Sequence, residues 1–239
     1  MVNEIFLSLQ GESSFAGLPC VFVRLTGCNL RCSYCDTAYA FTEGRPWTLD
    51  ELRAEIDRLA RPCRTPQNCP RLPLVELTGG EPLLQSNSLA LMKALCDAGF
   101  TVLLETNGAL DISPVDPRVH RIMDLKCPSS GEAGRNRWEN LECLRGSDEL
   151  KFVIASVQDY EWARAAITER RLAALCPVLL SWASPLEPRQ RALSLKAIPA
   201  GHTPLSRQQL AERILADALP VRFQLQAHKC IWPPDRRGV

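Results

Sequence analysis

The chain has 239 residues and a mass of 26.6 kDa, with 46% hydrophobic and 23% charged residues, which is enough for one domain with a substantial core. Its formal net charge of +1 gives no electrostatic reason to expect nucleic acid or an anionic membrane as a partner. No apolar run approaches the length of a membrane span. The N-terminal stretch "MVNEIFLSLQGES" lacks the basic region and long apolar core of a signal peptide, so a cytoplasmic location is expected.

In chain order, the first strand expected is "CVFVRLTG" (20–27), followed by a helix over 48–60, where Thr48 and Glu51 form a capping-box pattern. A Pro-rich insert follows at about 61–73. Next come the strand "PLVELTGG" (73–80), a helix over 86–99 ending on Gly99, and the strands "FTVLLETNG" (100–108), "HRIMDLK" (120–126) and "ELKFVIA" (149–155). The helix over 157–175, the strand "PVLLSWA" (177–183), the helix over 206–219 and the strand "VRFQLQ" (221–226) complete the series. Most strands are nearly continuous in hydrophobicity, as parallel strands covered on both faces are. Strand–helix alternation implies an α/β fold, a partial, open parallel β/α barrel of about six strands, formed by a single domain over 1–239. Ligands bind such sheets beyond the C-terminal strand ends, and the motifs below are expected there.

Eleven cysteines in a cytosolic chain point to metal or catalysis where they cluster. Cys20, Cys96, Cys127, Cys143, Cys176 and Cys230 are dispersed and read mainly as small buried hydrophobes. Cys63 and Cys69, in "RPCRTPQNCPR", allow a second metal site or mere surface variation, and variation is favoured. Cys28, Cys32 and Cys35 differ: "TGCNLRCSYCDTAY" (26–39) sets them at C-x3-C-x2-C just after the first core strand. A structural zinc site requires a fourth ligand, and neither Cys63 nor His120 stands at matching spacing. A four-iron cluster held by three thiolates instead keeps one iron open to a small molecule.

This spacing, in a loop after the first strand of a βα domain, resembles the signature of radical S-adenosylmethionine (SAM) enzymes. "ELTGGEP" (76–82) is similar to that superfamily's GGEP motif, and "ETNG" (105–108) to another piece of the same site. The resemblance implies that SAM chelates the open iron of a 4Fe-4S cluster and that reductive cleavage yields a 5′-deoxyadenosyl radical. It implies SAM contacts from Tyr34, Cys35, Asp36, Gly80, Glu81, Lys126, Ser129 and Ser181. Gly79 and Gly80 would let the backbone approach the ligand, and Glu81 would accept from its ammonium.

More finely, "SLQGESSFAGLPCVFVRLTGCNLRCSYCDTAY", "DLKCPSSGE" (124–132) and "RFQLQAHK" (222–229) resemble the 7-carboxy-7-deazaguanine synthase family, which serves queuosine and 7-deazapurine biosynthesis. The substrate implied is 6-carboxy-5,6,7,8-tetrahydropterin. Leu9, Gln10, Gly11, Glu12, Thr78 and His228 are expected to read it, and Arg24 to bind its carboxylate through a bidentate fork. Thr37 is the implied ligand to Mg²⁺, a hard cation that needs few protein oxygens. A flavodoxin or ferredoxin as electron donor and a homodimer are further expectations. A glycyl-radical activating enzyme shares the cysteine motif, but "LQGES" and "QLQAHK" speak against it, and a non-enzymatic zinc or iron–sulfur protein needs no GGEP. In the tail "CIWPPDRRGV" (230–239), Pro233 and Pro234 favour an extended run, partly ordered through Trp232. Loss of residues 235–239 is then expected to leave activity largely unchanged.

Overall fold

The computed structural model describes residues 1–63 and 71–239; Cys69 and most of the Pro-rich insert lie outside the described residues. Eight strands form one sheet in chain order: β1 (Val2–Leu9), β2 (Pro19–Leu25), β3 (Leu74–Gly79), β4 (Val102–Thr106), β5 (His120–Asp124), β6 (Glu149–Ile154), β7 (Val178–Trp182) and β8 (Arg222–Gln224). β2 to β8 are parallel neighbours, and β1 runs antiparallel along β2, with Glu4 opposite Arg24 and Leu9 opposite Pro19. The open parallel sheet is as the sequence indicates, with eight strands rather than about six. β1 escapes a search for apolar runs because Asn3, Glu4 and Ser8 interrupt the apolar residues of "VNEIFLSL".

Helices α1 (Leu49–Ala60), α2 (Asn87–Asp97), α3 (Val157–Glu169) and α4 (Arg207–Ala216) cover the outer face. The capping box of α1 forms as expected: the Glu51 amide donates to Thr48 Oγ1 at 3.2 Å, and the Thr48 amide donates to Glu51 Oε2 at 2.7 Å. α3 stops short of the expected residue 175, with Arg171 in the left-handed region and a 3-10 turn over Leu172–Ala174. A fifth helix, α5 (Ala227–Ile231), carries His228 and was not evident in the sequence.

Alternate strand residues face opposite ways. Val21, Val23, Leu25, Val75, Leu77, Val102, Leu104, Leu150, Phe152, Ile154, Val178 and Leu180 join helix residues such as Leu52, Ile56, Met92, Tyr160 and Leu210 in the main core. On the inner face, Cys20, Leu74, Leu103 and Ile122 form a small apolar floor with Phe15 and Leu18. The loop over 10–18 spans the gap between the two edge strands. The Ser13 amide donates to Gln224 Oε1 at 3.2 Å, the Ser14 amide to Glu149 Oε1 at 3.0 Å, and the Ala227 amide to the Gly11 carbonyl at 3.0 Å. Among the described residues, no helix is long and apolar enough to cross a membrane.

Candidate active site

Above the apolar floor the inner face turns polar and encloses a cavity of about 240 Å³. Its middle layer carries Phe22, Glu76, Glu105, Asp124 and Lys151, and its upper layer Arg24, Thr78, Asn107 and Lys126. Those within the strands are alternate residues, which the period-two pleat aims inward, while Asn107 and Lys126 follow the ends of β4 and β5.

The cluster loop leaves β2 through Gly27, whose φ of +96° reverses the chain. Cys28, Cys32 and Cys35 all line the cavity. The Leu30 amide donates to Cys28 Sγ at 3.4 Å, and Asn107 Nδ2 lies 3.8 Å from the same sulfur. Burial pushes all three thiols up, Cys32 to about 12 and Cys35 to about 11, so they require a cationic centre to become thiolates. Among the described residues no three His, Cys, Asp or Glu side chains converge on a single ion. Donor set, loop and cavity therefore fit an iron–sulfur cluster.

Gly79 and Gly80 both line the cavity and also pack against neighbouring backbone. A Cβ at Gly80 would come within 1.9 Å of the Gly27 carbonyl oxygen, and one at Gly79 within 2.2 Å of the Leu25 carbonyl oxygen. Both glycines thus admit the neighbouring backbone. Glu81 is fully buried and absent from the cavity lining. Its Oε1 accepts from Thr106 Oγ1 at 2.9 Å and the Leu83 amide at 3.0 Å, and its Oε2 accepts from the Asn107 amide at 2.7 Å. It braces GGEP against ETNG rather than facing an ammonium. Ser129 and Ser181 are also buried behind the wall, with Ser129 Oγ donating to Ser156 Oγ at 2.8 Å and lying 2.6 Å from His202 Nδ1.

The other expected residues reach the cavity: Leu9, Gln10, Gly11, Glu12, Arg24, Tyr34, Cys35, Asp36, Thr37, Thr78, Lys126 and His228. They do not all arrive from the C-terminal strand ends. The loop of Gln10, Gly11 and Glu12 leaves β1 beside Pro19, where the parallel strands begin, because β1 is antiparallel. Gly11 sits against α5, where a Cβ would lie 2.6 Å from His228 Nδ1. Tyr34 Oη and Asp124 Oδ1 are buried without a hydrogen-bond partner, so the cavity wall presents unmet polar groups.

Charge is ordered in pairs. Lys229 Nζ lies 2.5 Å from Asp36 Oδ2, and although burial opposes ionisation this ammonium holds the Asp36 carboxyl well below its usual range. Lys126 donates to Asp124 at 2.6 Å, and this carboxylate, against the effect of burial, raises the ammonium's pKa. Thr37 Oγ1 stands 3.8 Å from Cys35 Sγ and 3.4 Å from Asp36 Oδ1, so a hard oxygen adjoins the cysteine triad.

Deeper in, Lys151 Nζ bonds Glu105 and lies 3.1 Å from Glu12 Oε2, while Gln10 Nε2 donates to Glu76. Glu12 is lowered despite its burial by Lys151 and His228, whereas burial and the Glu105 carboxylate push Glu76 well up. Sequence reasoning missed Glu76, Glu105, Asp124 and Lys151. Their signal was a charge in the middle of each otherwise apolar parallel strand, at a position of inward parity.

The tail bends rather than extending. The Arg236 amide donates to the Pro233 carbonyl at 2.9 Å, Asp235 pairs with Arg189, Arg237 Nη1 lies 2.6 Å from Glu43 Oε2, and Val239 lines the cavity. Of residues 235–239, Val239 thus touches the cavity.

A family model described as the radical SAM superfamily matches residues 22–128. The chain is 44% identical over 240 residues to a 7-carboxy-7-deazaguanine synthase of Koribacter versatilis, covering 100% of this chain and 99% of that protein. It is also 44% identical to the protein of that name from Chlorobaculum tepidum, with 100% and 96% coverage. In fold it is similar to the crystal structure of QueE from Escherichia coli, with a TM-score of 0.64 at 22% identity and coverage of 95% and 93%. Full-length identity at this level, over a cavity lined by the three cysteines, means that the chain belongs to the 7-carboxy-7-deazaguanine synthase family of the radical SAM superfamily.

Proposed function

We propose that the chain converts 6-carboxy-5,6,7,8-tetrahydropterin to 7-carboxy-7-deazaguanine with release of ammonia, as a carbon–nitrogen lyase of queuosine biosynthesis. One observation carries this reading: the three cluster cysteines share a single cavity with Arg24, Gln10, Thr78 and His228. The donor types on that wall suit a flat heterocycle bearing a carboxylate, and full-length relatives carry the same activity in their names.

When bound, the 4Fe-4S cluster and SAM supply the 5′-deoxyadenosyl radical that removes the substrate's C6 hydrogen, and SAM is regenerated at the end. The chain's own residues do the rest. Cys28, Cys32 and Cys35 hold the cluster; Tyr34, Asp36, Gly80 and Lys126 line the space for SAM, backed by Glu81, Ser129 and Ser181. Arg24 takes the carboxylate with its terminal nitrogens, and Gln10, the Gly11 backbone, Thr78 and His228 read the ring edge. Thr37 would offer a hard oxygen to a Mg²⁺ ion, which would help orient the substrate. Reducing equivalents come from a flavodoxin or ferredoxin, and the protein acts as a homodimer.

The test is incubation of anaerobically reconstituted protein with the carboxylated pterin, SAM and a reductant, with and without a divalent-ion chelator. Formation of 7-carboxy-7-deazaguanine and ammonia, falling on chelation, is expected. SAM cleavage without ring contraction would overturn the substrate assignment, and turnover indifferent to chelation would remove Mg²⁺ from Thr37.

A further inference from the structure

Arg24 meets only one hydrogen-bonding partner among the described residues, and it does so with Nε. That nitrogen donates to Glu4 Oε1 at 2.7 Å, from the facing position on β1. The two terminal Nη groups have no hydrogen-bond partner among the described residues, and the side chain lines the cavity. An arginine held by Nε keeps its fork free for a planar carboxylate. The same oxygen, Glu4 Oε1, accepts from Tyr39 Oη at 2.9 Å. Tyr39 belongs to the 3-10 turn Ala38–Phe41, just beyond the cluster loop.

The connection continues to the end of the chain. The Arg237 guanidinium lies 3.7 Å from the centroid of the Tyr39 ring and also pairs with Glu43. Two residues later, Val239 lines the same cavity as Arg24. Tail, tyrosine, glutamate and arginine are therefore contiguous, each in direct contact with the next.

We infer that Glu4 and Tyr39 are positioning residues that aim Arg24 at the substrate carboxylate, and that Arg237 couples this aim to seating of the C-terminal tail. The physical logic is that a long guanidinium loses affinity for a bidentate partner when free to rotate, and one acceptor contact, itself fixed by the Tyr39 hydroxyl, removes part of that freedom in advance. When the tail lifts, the cation over the Tyr39 ring departs and Tyr39 is released to move. When the tail is seated, the clamp is set and Val239 closes the space beside it.

This rests on the carboxylated pterin as substrate, and the experiment separates the two claims. Dissociation constants are measured calorimetrically on anaerobic, cluster-loaded protein for three ligands: the carboxylated tetrahydropterin, tetrahydropterin lacking the carboxylate, and SAM. Wild type is compared with Glu4→Gln, Glu4→Ala, Tyr39→Phe, Arg237→Ala and the double variant Glu4→Ala/Arg237→Ala. Glu4→Ala is expected to weaken the carboxylated ligand about tenfold, the scale of one hydrogen bond to a charged group, with Glu4→Gln recovering part of it. Tyr39→Phe and Arg237→Ala should each cost about threefold. The ligand without a carboxylate and SAM should be unaffected throughout, and Arg237→Ala should add nothing in the Glu4→Ala background.

Equal losses for both pterins would make the relay a structural brace and overturn the inference while leaving the substrate reading intact. Additive effects of Glu4→Ala and Arg237→Ala would cut the tail from the clamp. A wild type that does not prefer the carboxylated pterin would refute the substrate reading, and the relay with it.

Discussion

The two faces of one sheet are built on opposite principles, although their residues alternate along the same strands. Outward from β2, β3 and β4 point Val21, Val23, Val75, Leu77, Val102 and Leu104, all fully buried beneath helices. Burying each such side chain stabilises the fold by about 1.5–3 kcal/mol. Inward from the same strands point Phe22, Arg24, Glu76, Thr78 and Glu105, above the small apolar floor. Desolvating each ion there costs several kcal/mol, which pairing only partly offsets. The difference teaches that the outer face supplies the stability and the inner face spends it on a site. Damage to one face should look different from damage to the other.

The largest contrast concerns the cysteines. Replacing Cys28, Cys32 or Cys35 with Ala should abolish turnover and SAM cleavage and lower bound iron and sulfide. Cys96→Ala, in a residue packed at the edge of the outer core, should leave both intact. Iron and sulfide analysis with a cleavage assay checks this, and an indispensable fourth cysteine would break the open-iron argument.

Next in size is Lys151, the ammonium between Glu12 and Glu105. Lys151→Met leaves buried carboxylates without their cation and should cost about 3–5 kcal/mol at neutral pH. Leu104→Ala, on the outer face, should cost about 2–5 kcal/mol by opening a cavity. The two are told apart by pH, followed through urea midpoints. The Lys151→Met loss should shrink on acidification, as the stranded carboxylates take up protons, and the Leu104→Ala loss should not.

The sequence disclosed the outer face far better than the inner. β2 to β8 were readable because their outward residues and strand-end glycines make apolar, bounded runs. Reading those runs as continuous hid the alternation, so Glu76, Glu105, Asp124 and Lys151 passed unnoticed inside them. β1 was hidden because polar residues interrupt its apolar ones, and with it went Glu4, the partner of Arg24. The cysteine triad and its loop were readable because spacing alone specifies them. The orientations of Glu81, Ser129 and Ser181 were not, since a motif gives a residue's place in the chain and not the direction of its side chain.

Glu76 offers a smaller and more specific test. Burial and the nearby Glu105 carboxylate raise its pKa well above 4.5 in the folded protein. The folded state then binds a proton more tightly than the unfolded state does. Its contribution to stability is complete below about pH 4.5 and is lost as pH rises through the folded value, at up to about 1.4 kcal/mol per pH unit. Glu76→Gln keeps an acceptor for Gln10 Nε2 and removes the titration. The difference in unfolding free energy, variant minus wild type, should therefore grow in the variant's favour from pH 5 upward. A difference independent of pH would mean that Glu76 is ionised in the folded state, balanced by Lys151.

The smallest effect lies at Thr48, and it asks how separable the two faces are. Thr48 caps α1 through the reciprocal pair with Glu51, and α1 buries Leu52 and Ile56 against the outer side of the sheet. Removing a Thr cap costs about 1 kcal/mol, which in a chain of this size lowers the melting temperature by about 2–4 °C. α1 packs on β1 and β2, the strand pair whose inner side presents Glu4 and Arg24. If the outer layer only supplies stability, Thr48→Ala should lower the melting temperature by that amount and leave dissociation constants for SAM and the carboxylated pterin unchanged. If fraying the first turn of α1 shifts β1, the carboxylated pterin should weaken while SAM does not, because Glu4 is the only part of the Arg24 clamp that β1 carries. That outcome would show that the sheet transmits outer-face damage to the site by strand displacement, and it would end the separation of the two faces at this edge while leaving it intact around β4 and β6.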